Sequence, residues 1–309
     1  MLSIHLFGKL RVQADGQPLG GLDARRVQEL LVYLLLNRDR PHPRDFLADL
    51  LWGEGTSTQV RKGLRQALWK LQSVVGMGAD AQGGGLLKVD SGYVQLSGDA
   101  PVWLDVAEFE TAWALAQGKP GAALDPDAAA ALKRAIGLYG GDLLDGWYQD
   151  WCLFERERLR NMYLDMLGKL MTHAEAHGDY EAGLEYGTTV LRMDRTRERT
   201  HRAMMRLHYL DGHRVRALRQ YEQCVAALRD EIGVAPARRT VLLHEQIRDD
   251  ALTLPPGAAV VGARAHDDEP ASATPAHLLE QLRHMRGLLD DLQLRVDRQI
   301  RALEGAPRA

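Results

Sequence analysis

The chain has 309 residues, 45% of them hydrophobic and only 6% aromatic, enough for two or three domains with mostly aliphatic cores. A net charge of -3 excludes a protein that coats polyanions over its whole surface. No run of 18 apolar residues offers a membrane span, and the start MLSIHLFGKLRV lacks the layout of a secretory leader, so a cytoplasmic protein with no membrane partner is expected. Cys152 and Cys224 lie far apart without CxxC or metal-ligand spacing and read as reduced core residues; no cofactor is expected.

Taken in chain order, LSIHLFGKLRVQADGQPL alternates as two short strands with a turn at Asp15-Gly16. Ala24 to Asn37 reads as a helix, its Leu30, Leu31, Leu34 and Leu35 stripe lying behind Arg25 and Arg26. Pro41 and Pro43 punctuate the chain, and Pro43 suits the first turn of a second helix, RDFLADLLW. After Gly53-Glu54-Gly55 comes TSTQVRKGLRQALWKLQSVV, residues 56 to 75. At about 100° per residue, Val60, Leu64, Ala67, Leu68, Leu71 and Val75 fall on one side of this helix. Lys62, Arg65, Trp69 and Ser73 fall on the other, flanked by Arg61 and Lys70, and no acid occurs between Glu54 and Asp80. Beyond Gly83-Gly84-Gly85, LLKV and YVQL joined by Asp90-Ser91-Gly92 form a hairpin.

Strands, three helices and a hairpin make a winged helix-turn-helix, in which the third helix enters a major groove and the hairpin lies along the backbone. Arg65, Gln66 and Trp69 sit centrally on the outward face, nearest the base edges: Arg pairs with guanine, Gln with adenine, and an indole meets a thymine methyl or a sugar. Arg61, Lys62, Lys70, Arg44 and Lys88 suit phosphates, as does Tyr93 on the wing. Residues 1 to 75 hold 11 Lys/Arg against 7 Asp/Glu, and residues 76 to 150 hold 4 against 11, so the basic excess is local. The glycine stretch lacks the Lys-Ser/Thr and helix start of a P-loop.

From Asp105 the chain reads as helices near 105–117, 126–139, 149–177, 179–193, 197–211, 213–231 and 236–250. Gly178-Asp179-Tyr180 followed by AGLEY recurs 34 residues on as Gly212-His213-Arg214 followed by RALRQY, with Met171 mapping to Met205, Leu184 to Leu218 and Val190 to Cys224. That period is the tetratricopeptide spacing. Residues 255–275 read as a Pro/Gly/Ala linker. Leu282, Leu289, Val296 and Leu303 then recur every seven residues, interleaved with Leu278, Met285, Leu292 and Gln299, a coiled coil that would make a homodimer or higher homo-oligomer. A terminal helix docked on the body, widened by Leu279, Leu288 and Ile300, is the competing reading.

No nucleophile stands with a base at a diagnostic spacing, so catalysis has no support and no catalytic residue is assigned. His173 and His177, at i and i+4, read as ordinary helix histidines rather than ligands, and no metal site is assigned. Glu155-Arg156-Glu157-Arg158 reads as a solvated charged face. Trp147, Tyr148, Trp151 and Phe154 read as core packing at the domain junction.

These runs resemble the bacterial transcriptional activator domain family, in which an OmpR-type winged helix precedes a tetratricopeptide-like domain and of which antibiotic-pathway regulators are the familiar members. The likeness covers residues 2 to 250 and rests on LFGKLRV, RRVQELLVYLLLN, RDFLADLLWGE, VRKGLRQALWKLQ, GYVQL, LDVAEFETA, LYGGDLLDGWYQDWCLFERERLR and GHRVRALRQYEQCVAALRDEIGVAP. It implies sequence-specific binding of double-stranded promoter DNA and transcription activation, with the helical domain serving dimer or RNA polymerase contacts. Arg61 and Lys70 fall where the family places Arg; Trp69 stands where a small polar residue is common, and Gln72 and Ser73 replace frequent basic residues.

The expected protein is therefore mainly α with a small α+β part: a winged helix over 1–97, a tetratricopeptide-like all-α domain over 98–254, the linker, and a coiled-coil helix over 276–304. Two functions remain open, a DNA-reading transcription regulator and a protein-interaction scaffold that works through the tetratricopeptide-like groove and whose winged helix no longer reads DNA. An unidentified small-molecule effector of the helical domain is a third possibility.

Overall fold

The computed structural model describes residues 1–53, 56–76, 86–98 and 102–252. All of these lie in one compact unit, Met1–Gly262. The glycine stretch 83–85, the linker 255–275 and the heptad segment 276–304, with Leu278, Leu282, Met285, Leu289, Leu292, Val296 and Leu303, fall outside the described residues.

The alternating start of the chain makes three strands rather than two. β1 (Leu2–His5) pairs antiparallel with β2 (Arg11–Ala14), and β2 turns back onto β3 (Gln17–Pro18). Asp15 and Gly16 carry φ of 49° and 80°, the positive values that a two-residue turn of matching twist requires. Helix α1 (Arg25–Leu36) follows and buries Leu30, Leu31, Leu34 and Leu35. A two-residue strand β4 (His42–Pro43) leads into α2 (Arg44–Trp52), so Pro43 is the residue before the helix and not part of its first turn. The reason is tertiary: Pro43 and His42 pair with Tyr93 and Val94 of the wing.

Helix α3 (Ser57–Gly76) buries Val60, Leu64, Ala67, Leu68, Leu71, Val74 and Val75 against the helices before it. Each such side chain is worth about 1.5–3 kcal/mol over leaving it in water, which is why the apolar stripe, and not the charges, sets the helix's rotation. Gly63 lets α3 approach α2, since a Cβ there would come within 2.8 Å of the Trp52 indole. The wing is β5 (Leu87–Val89) and β6 (Tyr93–Leu96), which with β4 forms a sheet of order β4-β6-β5.

After the wing the chain returns to its own beginning. β7 (Val102–Leu104) pairs parallel with β1, completing a sheet of order β3-β2-β1-β7. There it enters α4 (Asp105–Ala116), followed by α5 (Pro126–Leu138), α6 (Asp150–Ala176), α7 (Tyr180–Met193), α8 (Glu198–Leu210), α9 (Arg214–Ile232) and α10 (Arg238–Arg248). Local chemistry sets several ends: Asp125 caps α5 by accepting from Ala128 N at 2.8 Å, and Gly233 ends α9 at φ 70°.

The 34-residue repeat is structural. Gly178 and Gly212 take φ of 73° and 76°. The following residues, Asp179 and His213, donate their N–H to Ala174 and His208 carbonyls at 3.0 and 2.8 Å. Met171 and Met205 are buried, as are Val190 and Cys224.

Candidate nucleic-acid interface

Lys62, Arg65, Gln66, Trp69 and Lys70 are all exposed on α3, opposite its buried stripe. Trp69 is 70% exposed, so it packs on neither the helical body nor the wing. Lys62, Arg65 and Lys70 form no ion pair among the described residues, whereas Arg61 Nε lies 3.0 Å from Asp45 of α2. Among the six expected phosphate-binding side chains, Arg61 is thus engaged with a carboxylate, and its partner is equally exposed.

The wing is fixed to α2 by a small backbone network. Asp90 Oδ1 accepts from the backbone N–H groups of Gly92 and Tyr93 at 2.7 and 2.6 Å, and these bonds hold its carboxyl below the ordinary value. Arg44 donates its backbone N–H to Gly92 O at 2.9 Å and its guanidinium to Asp90 O at 3.0 Å. The hairpin register sets Lys88 opposite Gln95, with Val89 opposite Val94. Alternation then puts Lys88, Gln95 and Tyr93 on one face and the fully buried Val94 on the other. Tyr93 is 51% exposed.

Three residues tie this N-terminal part to the helical body, two that sequence reasoning passed over and one, Arg156, that it misread. Asp105 is completely buried and accepts from Leu6 N and Phe7 N through Oδ2, at 2.8 and 3.0 Å. Glu29 is buried under Arg25 and Arg26, at 3.0 and 2.8 Å, and also accepts from Gln149 at the head of α6. Arg156 corrects the reading of residues 155–158 as a solvated face: its guanidinium donates to the carbonyls of Leu143, Leu144 and Trp147, each at 2.9 Å. Arg158 is bound to both Glu155 and Glu110. The Gly140–Trp147 run is thereby clamped on α6 and docked on β1, Leu144 N donating to Leu6 O at 2.9 Å.

The aromatic cluster divides. Trp147 is buried under the Arg25 guanidinium, 3.8 Å from the ring centroid, and Trp151 meets Tyr33 of α1 edge-on at 5.6 Å. Tyr148 and Phe154 are exposed, contrary to the expectation of core packing, because the α1 side chains Arg25 and Tyr33 are met by Trp147 and Trp151 instead. Cys152 and Cys224 are buried free thiols, both pushed up by burial. His173 and His177 stack at 4.1 Å, and among the described residues no group of three His, Cys, Asp or Glu could hold a metal ion. No helix among the described residues is long and apolar enough to cross a membrane.

A winged-helix scaffold is joined here to a repeat of paired helices, and known proteins resemble both parts. Residues 104–248 match the bacterial transcriptional activator domain. The chain is 26% identical over 277 residues to the regulatory protein AfsR of Streptomyces coelicolor, covering 90% of this chain and 27% of that protein. The chain thus spans about a quarter of that relative. In fold it is similar to Mycobacterium tuberculosis EmbR, solved in complex with a low affinity phosphopeptide: TM-score 0.63 and 22% identity over 82% of this chain and 66% of that one.

Proposed function

We propose that the chain is a sequence-specific DNA-binding transcription activator that reads double-stranded promoter DNA through α3. The observation that carries this is the exposed face of α3, where three cations without an ion pair among the described residues, an amide and an indole stand opposite a buried stripe. Arg65 and Gln66 read base edges, and Trp69 packs on a thymine methyl or sugar. Lys62, Lys70, Lys88 and Tyr93 hold phosphates, joined by Arg61 and Arg44 once they exchange their in-chain partners. The segment 276–304 brings two chains together on paired half-sites, and the helical body contacts RNA polymerase.

Binding of labelled promoter fragments across a salt series tests the reading. Arg65→Ala is expected to lower affinity for the preferred sequence by about 1–3 kcal/mol and to relax discrimination at one base position. Specific complexes absent at every moderate salt, or an unchanged Arg65→Ala, would overturn it. Light scattering on a chain lacking 276–309 tests the oligomer; an unchanged number of subunits would remove that segment as the interface.

The exposure of Trp69, Tyr148 and Phe154 favours one second reading, a scaffold that docks proteins through these rings. Partners that are retained after Arg61 and Arg65 are both replaced, together with no protected DNA, would select it.

A further inference from the structure

A cleft of about 360 Å³ opens between α7 and α9, with α8 as its floor. We propose that it binds a small amphipathic carboxylate, the acid group held by Arg192 and Arg195 and the apolar body laid along Leu191, Met204 and Ala227. This deepens the effector idea of the sequence. Its role as an effector rests on the regulator reading, but binding itself does not.

The charges select the class of ligand. Among the described residues, Arg192 and Arg195 are the only charged residues lining the cleft, and no carboxylate lines it. Arg192 forms no ion pair among the described residues, and Arg195 pairs only with Glu231, at 3.4 Å and with 70% of its side chain exposed. A loose, solvated pair of that kind is worth about 0–1 kcal/mol, so an incoming carboxylate displaces it at little cost. Two guanidiniums at one rim suit a planar bidentate acceptor.

The floor is prearranged to receive such a ligand. His201 is buried, its Nε2 donating to the Arg195 carbonyl at 2.8 Å while Nδ1 accepts from Gln220 Nε2 at 2.7 Å. One nitrogen can accept only if the ring is neutral, and burial holds this imidazole below its ordinary value. The histidine therefore fixes the backbone beneath Arg195 without adding a third charge. It also holds the buried Gln220 by its amide nitrogen. The volume falls within the range of small-molecule pockets and the walls are mixed apolar and polar, as in such sites. A chain of contacts leads from the cleft toward α1: Arg160 of α6 donates to Met193 O at 2.7 Å, and Arg156 on the same helix clamps the loop that holds Trp147.

Octanoate is the probe, with octan-1-ol, octylamine and acetate as controls, in calorimetric titration and thermal unfolding of the full chain. Octanoate is expected to bind and raise the unfolding temperature, while the neutral alcohol, the amine and the chain-less acid bind at least ten-fold more weakly. Joint replacement Arg192→Gln and Arg195→Gln is expected to abolish the preference for octanoate over octan-1-ol, whereas Arg199→Gln, outside the cleft, leaves it intact. Gln223→Trp, from an exposed position on the cleft wall, is expected to block binding while leaving the fold unchanged by circular dichroism. Equal binding of octanoate and octan-1-ol, or octanoate binding undiminished in the joint replacement or in Gln223→Trp, would overturn the assignment. These readouts use no DNA, so their failure is separable from failure of the DNA reading.

Discussion

Asp105 holds the start of the chain to the start of the helical body, and its removal should be costly in a way that can be worked out. The carboxylate is fully buried, Oδ2 accepting from Leu6 and Phe7 N–H and Oδ1 from Val106 N–H at 2.7 Å. Asp105→Ala strands two backbone donors from β1 and its continuation in a place water does not reach. Each orphaned donor costs about 1–3 kcal/mol, and removing a carboxylate that is itself expensive to bury returns part of it, so a net loss of about 2–4 kcal/mol is expected. For a domain this size that is a fall of about 5–15 °C in Tm, readable by urea and thermal unfolding. Asp105→Asn keeps an oxygen for Leu6 and Phe7 but turns an NH2 toward Val106 N–H, and should cost only about 1–2 kcal/mol. The pH dependence gives an independent check. Burial raises the Asp105 carboxyl above its ordinary value of 3.8, outweighing the three hydrogen bonds. The folded state then binds more protons than the unfolded one in the window just above 3.8, so this group's contribution shrinks as pH rises through it. The stability difference between wild type and Asp105→Asn should therefore narrow with rising pH there. A loss under about 1 kcal/mol in Asp105→Ala, or a difference that widens with pH, would refute the reasoning.

Other outcomes follow from particular contacts. Gly121→Ala places a Cβ 2.4 Å from the Lys169 carbonyl oxygen and 2.7 Å from Thr172 Cβ, so α6 must shift, and a loss of about 1–3 kcal/mol is expected by urea unfolding. Gly137→Ala in α5 meets nothing within 4 Å and should be neutral or stabilising by up to about 1 kcal/mol; equal losses at the two sites would contradict the packing argument. Counting Lys62, Lys70, Lys88 and Arg44 as the phosphate-facing cations without an ion pair among the described residues, DNA affinity should fall with salt at a log–log slope of about -3.6 per subunit, and Asp45→Asn, freeing Arg61, should steepen it toward about -4.5. An unchanged slope in that variant would show that Arg61 does not reach phosphate. Burial lowers His173, His201 and His208 below the ordinary 6.5, so their contribution is complete above 6.5 and is lost as pH falls below it, the unfolded chain taking up the protons first. The urea midpoint should thus drop between pH 7.5 and 5.5, and His201→Gln should drop less.

Helix positions, the repeat and the outward face of α3 were legible because each depends on spacing along a single element. Val60, Leu64, Ala67, Leu68, Leu71 and Val75 are buried, and Lys62, Arg65 and Trp69 exposed, as a 3.6-residue period requires. Contacts between distant segments carry no such period. Nothing around Arg156 distinguishes it from its charged neighbours, yet three carbonyls more than eight residues away take its donors. Tyr148 and Phe154 look no less apolar than Trp147 and Trp151, and only the position of α1 separates the exposed pair from the packed one.

The sequence by itself determined where the chain coils and which face of each helix is dry, because hydrophobic burial acts on a periodicity that a one-dimensional string records. It also carried the family resemblance that residues 104–248 bear out. Tertiary structure alone decided that β7 returns to β1, that Asp105, Glu29 and Arg156 join the winged helix to the helical body, that Arg61 is held by Asp45, and that α7, α8 and α9 enclose a cleft with two arginines at its rim. Those outcomes depend on the partners that folding places within hydrogen-bond range, a distance that separation in sequence does not encode.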